Sequence, residues 1–336
     1  MIIVTGATGF IGVYLVDELT TKGVKVIATG RSKLGEAYYK KRGIPFIRLD
    51  ISNEADFDQL PRGAEAVVHL ASLIPANVPE SRYSPQDYVR VNVIGTLNVL
   101  EFCRRNGVRK LVYTHSHSDV EGWWDSGEPI TENAPRRINY VGDHAMYIIS
   151  KNAAVDCIKH YIQEYGIQGI IFRLPPVYGY GPHVEIYKNG KLVKTGFQTF
   201  LENASTGKPL ELWGDVNKGR DIIYVKDVVS AIISALKSKN AVGLYNIASG
   251  RRLSLKEEAE TIRDIFSPPN HPSEIIFRSD MPNSIRPFLY DISKAKRDLG
   301  WEPAYSFKEM LLDYKREEKK GRFSFLLKKE ERRGLK

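Results

Sequence analysis

Tyr147 and Lys151 stand four residues apart in YIISK, within a stretch of helical periodicity that puts both on one helix face. A phenol with a pKa of about 10 is a poor base at neutral pH, and a neighbouring ammonium favours its phenolate. Such a pair can move a proton while a hydride moves elsewhere. The opening MIIVTGATGFIG places Gly6, Gly9 and Gly12 between an apolar run and an amphipathic one. Glycines there permit a tight turn, close approach of backbone to a pyrophosphate and close helix–strand packing, with the phosphates at the helix N-terminus. The end of the second strand reads ATGRSKL. It offers Arg31 and Ser32 and no carboxylate, a composition suited to a ribose 2′-phosphate, so NADP(H) is favoured over NAD(H).

These residues need a scaffold, and the first half of the chain supplies one. Short β-branched runs at Ile2–Thr5, Val24–Ala28, Pro45–Leu49, Ala66–Leu70, Lys110–Thr114 and Gly169–Phe172 alternate with helical patterns near Ile11–Lys22, Pro85–Asn106 and Ala145–Tyr165. That alternation predicts a Rossmann-like, doubly wound α/β fold whose parallel sheet binds ligands at the carboxyl ends of its strands. Beyond Gly179 the regularity breaks. EIYKNGKLVK reads as a hairpin about Asn189-Gly190. Helices are expected near Phe197–Thr206, Val225–Lys237, Leu255–Ile265, Ser293–Leu299 and Phe307–Lys319, with strands at Asp221–Tyr224, Leu244–Ile247 and Glu274–Phe277. The expected division is a dinucleotide-binding unit at 1–180, rejoined by 220–250. Residues 181–219 and 251–320 would form a smaller substrate-binding lobe, and 321–336 a basic tail.

Composition narrows the classes. With 42% hydrophobic and 26% charged residues over 336 positions, the chain is neither low-complexity nor disordered. No apolar run reaches the roughly 20 residues of a spanning helix. MIIVTG lacks a basic leader and runs straight into a strand, so a cytoplasmic location is expected. Cys103 and Cys157 match no metal or redox spacing and read as core residues. The net charge of +9 is concentrated: residues 315–336 hold ten Lys/Arg against four Glu. The body is nearly neutral, which argues against a nucleic-acid partner and makes the tail a solvated, frayed end.

Ten segments in order, TGATGFIG, RLDIS, VVHLAS, NVIGTLNVLE, KLVYTHS, YIISK, RLPPVYGYGP, GRDIIYVKDVV, YNIASG and SKAKRDLGWEP, resemble the extended short-chain dehydrogenases/reductases of the nucleotide-sugar epimerase/dehydratase group. The resemblance runs from Met1 to about Tyr314. It implies that Asp50 and Ile51 meet the adenine, that Leu70, Ala71 and Ser72 line the cofactor, and that Asn92 supports its nicotinamide side. Thr8, Phe10, Ile11, Thr114 and Leu174 would complete the cofactor site, and Lys151 would hold the nicotinamide ribose. Ser116 would bond the reacting oxygen beside Tyr147 and Lys151. Arg220 and Arg286 would grip the diphosphate of a nucleotide-sugar through their guanidinium forks. Relatives pair through two long helices, so a homodimer is expected.

Three departures bear on function. THSHSDVEG is one residue long before Gly122, which makes Ser118 a rival to Ser116. His115, His117 and Asp119 alternate there like metal ligands, but no metal is expected beside a nicotinamide. His117 and Ser118 replace the Asp-Glu pair of the 4,6-dehydratases, which disfavours dehydration. Pro176 stands where many relatives have an Asn that touches the substrate phosphate, and a proline donates no hydrogen bond. Trp123 and Trp124 lie in a long segment that could cover a sugar or pack on the second lobe. An epimerase acting through a 4-keto intermediate is favoured over an NADPH-dependent 4-keto reductase, and both over a non-catalytic cofactor-binding protein.

Overall fold

The computed structural model describes residues 1–75, 84–142, 144–182, 184–188, 191–283 and 285–325. β1 (Ile2–Thr5), α1 (Phe10–Thr21), β2 (Val26–Gly30), α2 (Lys33–Lys41), β3 (Phe46–Arg48) and β4 (Ala66–His69) open the chain as alternating strand and helix. α3 (Pro85–Tyr88), a π turn at Val89–Ile94 and α4 (Gly95–Arg105) then form the second long helical segment. The sequence expectation of one regular helix there is corrected by that π turn, which carries Asn92. β5 (Lys110–Ser116), α5 (Ala145–Tyr165), β6 (Gln168–Leu174) and β7 (Val177–Tyr178) follow.

A seven-stranded sheet is the centre of the molecule. All of its pairings are parallel. Its order is β13-β6-β5-β4-β1-β2-β3, where β13 is Gly243–Asn246. Successive side chains on a strand point to opposite faces, and the core divides accordingly. Val4, Val68, Val112 and Ile170 pack on one face with α1 and with α7 (Val225–Lys237). Ile3, Val67, Leu111 and Ile171 pack on the other with α4 and α5. Strands buried on both faces are continuous apolar runs, which is why these were legible as strands.

The later elements include the antiparallel pair β8 (Glu185–Lys188) and β9 (Lys191–Lys194), whose expected turn, Asn189-Gly190, lies outside the described residues. α6 (Gly196–Ser205), β10 (Leu210–Trp213), β11 (Gly219–Asp221) and β12 (Ile223–Tyr224) come next, so the single strand expected at Asp221–Tyr224 is two. β11 pairs with β14 (Arg252–Ser254), β12 with β7, and β10 with β15 (Ile275–Arg278). α8 (Leu255–Phe266), α9 (Ser293–Leu299) and α10 (Phe307–Lys320) complete the chain.

The tail departs from expectation. Phe323 is fully buried against Phe10, Tyr14 and Tyr180, and Phe325 stacks on Tyr38 with ring centroids 3.9 Å apart. Residues 321–325 are therefore docked rather than frayed, because two aromatic rings find an apolar seat on α1 and α2. The rest of the expected basic tail lies outside the described residues.

Candidate active site

The glycine turn joins β1 to α1. Gly6 has φ +68°, and a Cβ there would lie 2.7 Å from the Ala71 amide nitrogen, so only glycine lets the turn and the end of β4 approach this closely. Gly9 caps α1 in an extended conformation with no side chain to bond the free N–H groups of the first turn. Those donors suit a pyrophosphate, and the cradle fits a dinucleotide.

Residues not flagged in the sequence brace this turn. Tyr39 on α2 donates to the Ala7 carbonyl at 2.6 Å. His69 at the end of β4 is buried and held neutral, with burial driving its pKa down to about 3. Its Nδ1 lies 2.7 Å from Thr5 Oγ1 and its Nε2 3.1 Å from Thr96 Oγ1. Thr96 donates to the Asn92 carbonyl, so Nε2 is the donor to Thr96 and Nδ1 accepts from Thr5. The signal for these was only a polar residue in an apolar run.

At the end of β2, Arg31 stays largely exposed and lies 3.7 Å from Asp50 Oδ2. Ser32 accepts from the Gly35 amide and so caps α2. Burial opposes the Asp50 charge, but hydrogen bonds from Ser52 and the nearby Arg31 outweigh it and hold the carboxyl below its usual range. Thr8, Phe10 and Ile11 are half-buried on the turn, and Leu70, Ala71 and Ser72 are half-buried after β4. Ile51 and Leu174 are buried side chains: Ile51 packs where a Cβ on Gly95 would stand, and Leu174 lies at the end of β6.

The reactive cluster forms where β5 meets α5. The Ser116 side chain lies beside the Tyr147 phenol. Burial pushes the Tyr147 phenol up to about 12, and the neighbouring Ser116 works the other way. Lys151 is buried, donates to the Thr114 carbonyl at 2.7 Å and lies 4.1 Å from the centre of the Tyr113 ring. Burial alone brings its pKa down to about 7. Asn92 ties the surrounding elements together, accepting from the Leu73 amide at 2.8 Å and donating to the Leu73 carbonyl and to Ser150 Oγ.

The chain turns out of β5 at once. His117–Trp123 is a 3₁₀ segment interrupted at Val120, where φ is −124° and ψ is 20°. Ser116 caps that segment by accepting from the Ser118 amide, and of the two serines it is Ser116 that bears on the Tyr147 phenol. The His115, His117 and Asp119 alternation dissolves for the same reason. His115 lies 3.3 Å from Asp119 Oδ2, and Arg173 reaches that oxygen through Nε at 3.1 Å and Nη2 at 2.8 Å. His117 instead stacks on Trp124, which also stacks on Phe288. Among the described residues no three His, Cys, Asp or Glu side chains gather as metal ligands.

The tryptophan segment thus packs on later parts of the chain, and Trp123 Nε1 donates to the Pro135 carbonyl. Arg286 lies over Trp124 and bonds Asp125 at 2.9 Å. Arg220 donates to the Tyr178 hydroxyl at 3.1 Å, and its charge helps keep the buried His117 neutral.

Comparison with known proteins agrees with this geometry. The model of the NAD dependent epimerase/dehydratase family matches residues 2–248. A Methanocaldococcus jannaschii protein named "Putative UDP-glucose 4-epimerase" is 31% identical over 92% of this chain and 95% of its own. UDP-glucuronic acid decarboxylase 1 of Arabidopsis thaliana is 30% identical over 92% of this chain and 68% of its own. The solved UDP-glucose 4-epimerase of Thermus thermophilus, in complex with NAD, is 27% identical with a TM-score of 0.71, covering 94% of this chain and 98% of that one. With the glycine turn, the Ser116–Tyr147 contact and the buried Lys151 on one sheet edge, this chain belongs to the NAD-dependent epimerase/dehydratase family.

Proposed function

We propose that the protein is an NAD(P)-dependent nucleotide-sugar epimerase working through a 4-keto intermediate. The observation that carries this reading is Ser116 beside Tyr147 with Lys151 one helical turn away, at the same strand ends as the glycine turn. Tyr147, as phenolate, takes the proton of the sugar C4 hydroxyl through its Oη atom and later returns it. Ser116 Oγ orients the reacting oxygen. Lys151 holds the cofactor ribose and favours the phenolate once the site is filled. When bound, a nicotinamide would supply the acceptor and the donor for the hydride. Arg220 and Arg286 hold the diphosphate, and the long helical segments α3–α4 and α5 pair two chains into a homodimer.

The half-exposed Arg31, with no carboxylate on β2 itself, favours NADP(H) and supports a second reading, a keto-sugar reductase that exchanges its cofactor. One experiment tests both. UDP-glucose is supplied with catalytic NAD(H) or NADP(H), and UDP-galactose formation is followed beside cofactor absorbance. Epimerisation without net cofactor change is expected. Tyr147→Phe should lower turnover about 10²–10⁴-fold while cofactor binding persists. Near-normal turnover in that variant overturns the mechanism, and stoichiometric NADPH consumption with a 4-keto sugar selects the reductase.

A further inference from the structure

The buried face of α8 is an apolar stripe of Ala259, Ile262 and Phe266, and Glu258 occupies the position beside Ala259 on that same inward side. Its neighbours in sequence behave ordinarily: Glu257 donates its amide to the Ser254 cap and pairs outward with Arg251. A lone carboxylate turned into a core is costly unless a cation faces it. The cation here is Arg220. The antiparallel pairing of β11 with β14 sets Arg220 opposite Leu253, two residues before α8 begins. Tyr178, on β7, stands between the two, with its hydroxyl 3.1 Å from Arg220 Nη2 and 3.3 Å from Glu258 Oε1.

The direction of these bonds is determined by chemistry. Burial pushes the Glu258 carboxyl up, while the Arg220 charge and Tyr178 draw it back towards the carboxylate; a guanidinium only donates and that carboxylate only accepts, so the single phenolic proton of Tyr178 goes to Glu258 while its oxygen accepts from Arg220. The result is a closed chain, Arg220 to Tyr178 to Glu258, built from three elements. It aims the guanidinium and offsets its charge before any substrate arrives.

We propose that Glu258 is a positioning residue which weakens the hold of Arg220 on a nucleoside diphosphate, so that substrate and product exchange readily. This rests on the reading of Arg220 as a diphosphate-binding residue. Glu258→Gln keeps the acceptor for Tyr178 and the shape of the side chain but removes the opposing charge. The anion then meets a fully positive cradle.

The test is calorimetric titration of the full-length protein with UDP and with uridine, for wild type, Glu258→Gln and Arg220→Met. Glu258→Leu, which fits the apolar stripe, removes the same charge if the Gln variant fails to fold. Arg220→Met should weaken UDP at least about tenfold and leave uridine unchanged. Glu258→Gln should tighten UDP by about tenfold, again with uridine unchanged, and lower KM for the nucleotide-sugar. A residue that served stability alone would not raise affinity when replaced. UDP affinity in Glu258→Gln equal to or below wild type, or an equal rise for uridine, overturns the proposal. If Arg220→Met still loses UDP in that case, the diphosphate reading survives by itself. Wild-type UDP affinity in Arg220→Met overturns both.

Discussion

Ser116 and Ser118 are two residues apart, and the choice between them depends on which one bears on the Tyr147 phenol. Ser116 Oγ serves Tyr147 and receives the Ser118 amide, so the two serines have different duties. Ser116→Ala should therefore lower turnover more than Ser118→Ala, and Lys151→Ala should raise KM for the cofactor as well as lower turnover; steady-state kinetics on the same substrate separate these effects. The reverse order for the serines would mean that the placement of Ser116 beside Tyr147 is not the productive one. Asp119 belongs to the same strand end but has a structural duty. Burial opposes its charge, yet the neighbouring His115 and the bonds from Arg173 outweigh that and hold its pKa down to about 2, below the ordinary 3.8. A carboxyl depressed in the folded state stabilises above its unfolded pKa, and that stabilisation is lost as pH falls through the folded one. The Asp119 contribution is thus full above about pH 4 and disappears towards pH 2. Asp119→Asn strands a buried guanidinium and should cost about 3–5 kcal/mol at neutral pH. Chemical denaturation from pH 2 to 7 should show this deficit shrinking towards pH 2; a deficit independent of pH would contradict the assigned charge.

At the scale of elements, the cofactor cradle depends on α2 as much as on α1. Thr8 packs so closely on α2 that a Cβ on Gly35 would fall 2.0 Å from its Cγ2, and Tyr39 reaches from the same helix to the Ala7 carbonyl. The N-cap of α2 is Ser32, directly after Arg31, so the residue proposed to recognise a 2′-phosphate sits on a rigid helix start. Its side chain is exposed and already shares Asp50, which limits what it can contribute. Arg31→Ala should weaken NADPH by about three- to tenfold and leave NADH unchanged, measured by fluorescence titration of both. Equal losses for the two cofactors would remove the 2′-phosphate from the argument. Asn92 shows another element-level device. The π turn at Val89–Ile94 inserts an extra residue into the helical segment, and from it the Asn92 amide bonds the loop after β4 and α5 together.

Over the whole molecule, the last described residues lie across the first ones. Arg322 pairs with Asp17 on α1 and with Glu317 on α10, and lies over the Tyr14 ring. Glu317 is buried and also meets Lys226 on α7, which continues to Asp313 and Tyr224. Phe323 plugs the same corner, in contact with Phe10 of the glycine turn. Phe323→Ala should cost about 3–5 kcal/mol of stability, the usual range for a buried aromatic truncated to alanine. Because Phe10 loses its neighbour, the dinucleotide should also bind more weakly, with added cofactor recovering part of the lost Tm. Thermal melts with and without cofactor check both; an unchanged melt would show that the 321–325 segment is not docked in solution.

Much of the site was legible because its signals are local. A glycine turn between an apolar strand and a helix, a Tyr and a Lys one helical turn apart, and strands buried on both faces each declare themselves within a dozen residues. The helices Val225–Lys237 and Ser293–Leu299 were read to the residue because their apolar periodicity and flanking turns are equally local. What the tertiary structure decided involves partners far apart in the chain. Arg173 reaches Asp119 across 54 positions, Tyr178 reaches Glu258 across 80, and Arg322 reaches Asp17 across 305. No periodicity or spacing encodes such pairs. A buried charge is tolerated only where the fold delivers its counter-charge, and the side that Glu258 or Arg173 faces is settled by strand pairing and helix packing.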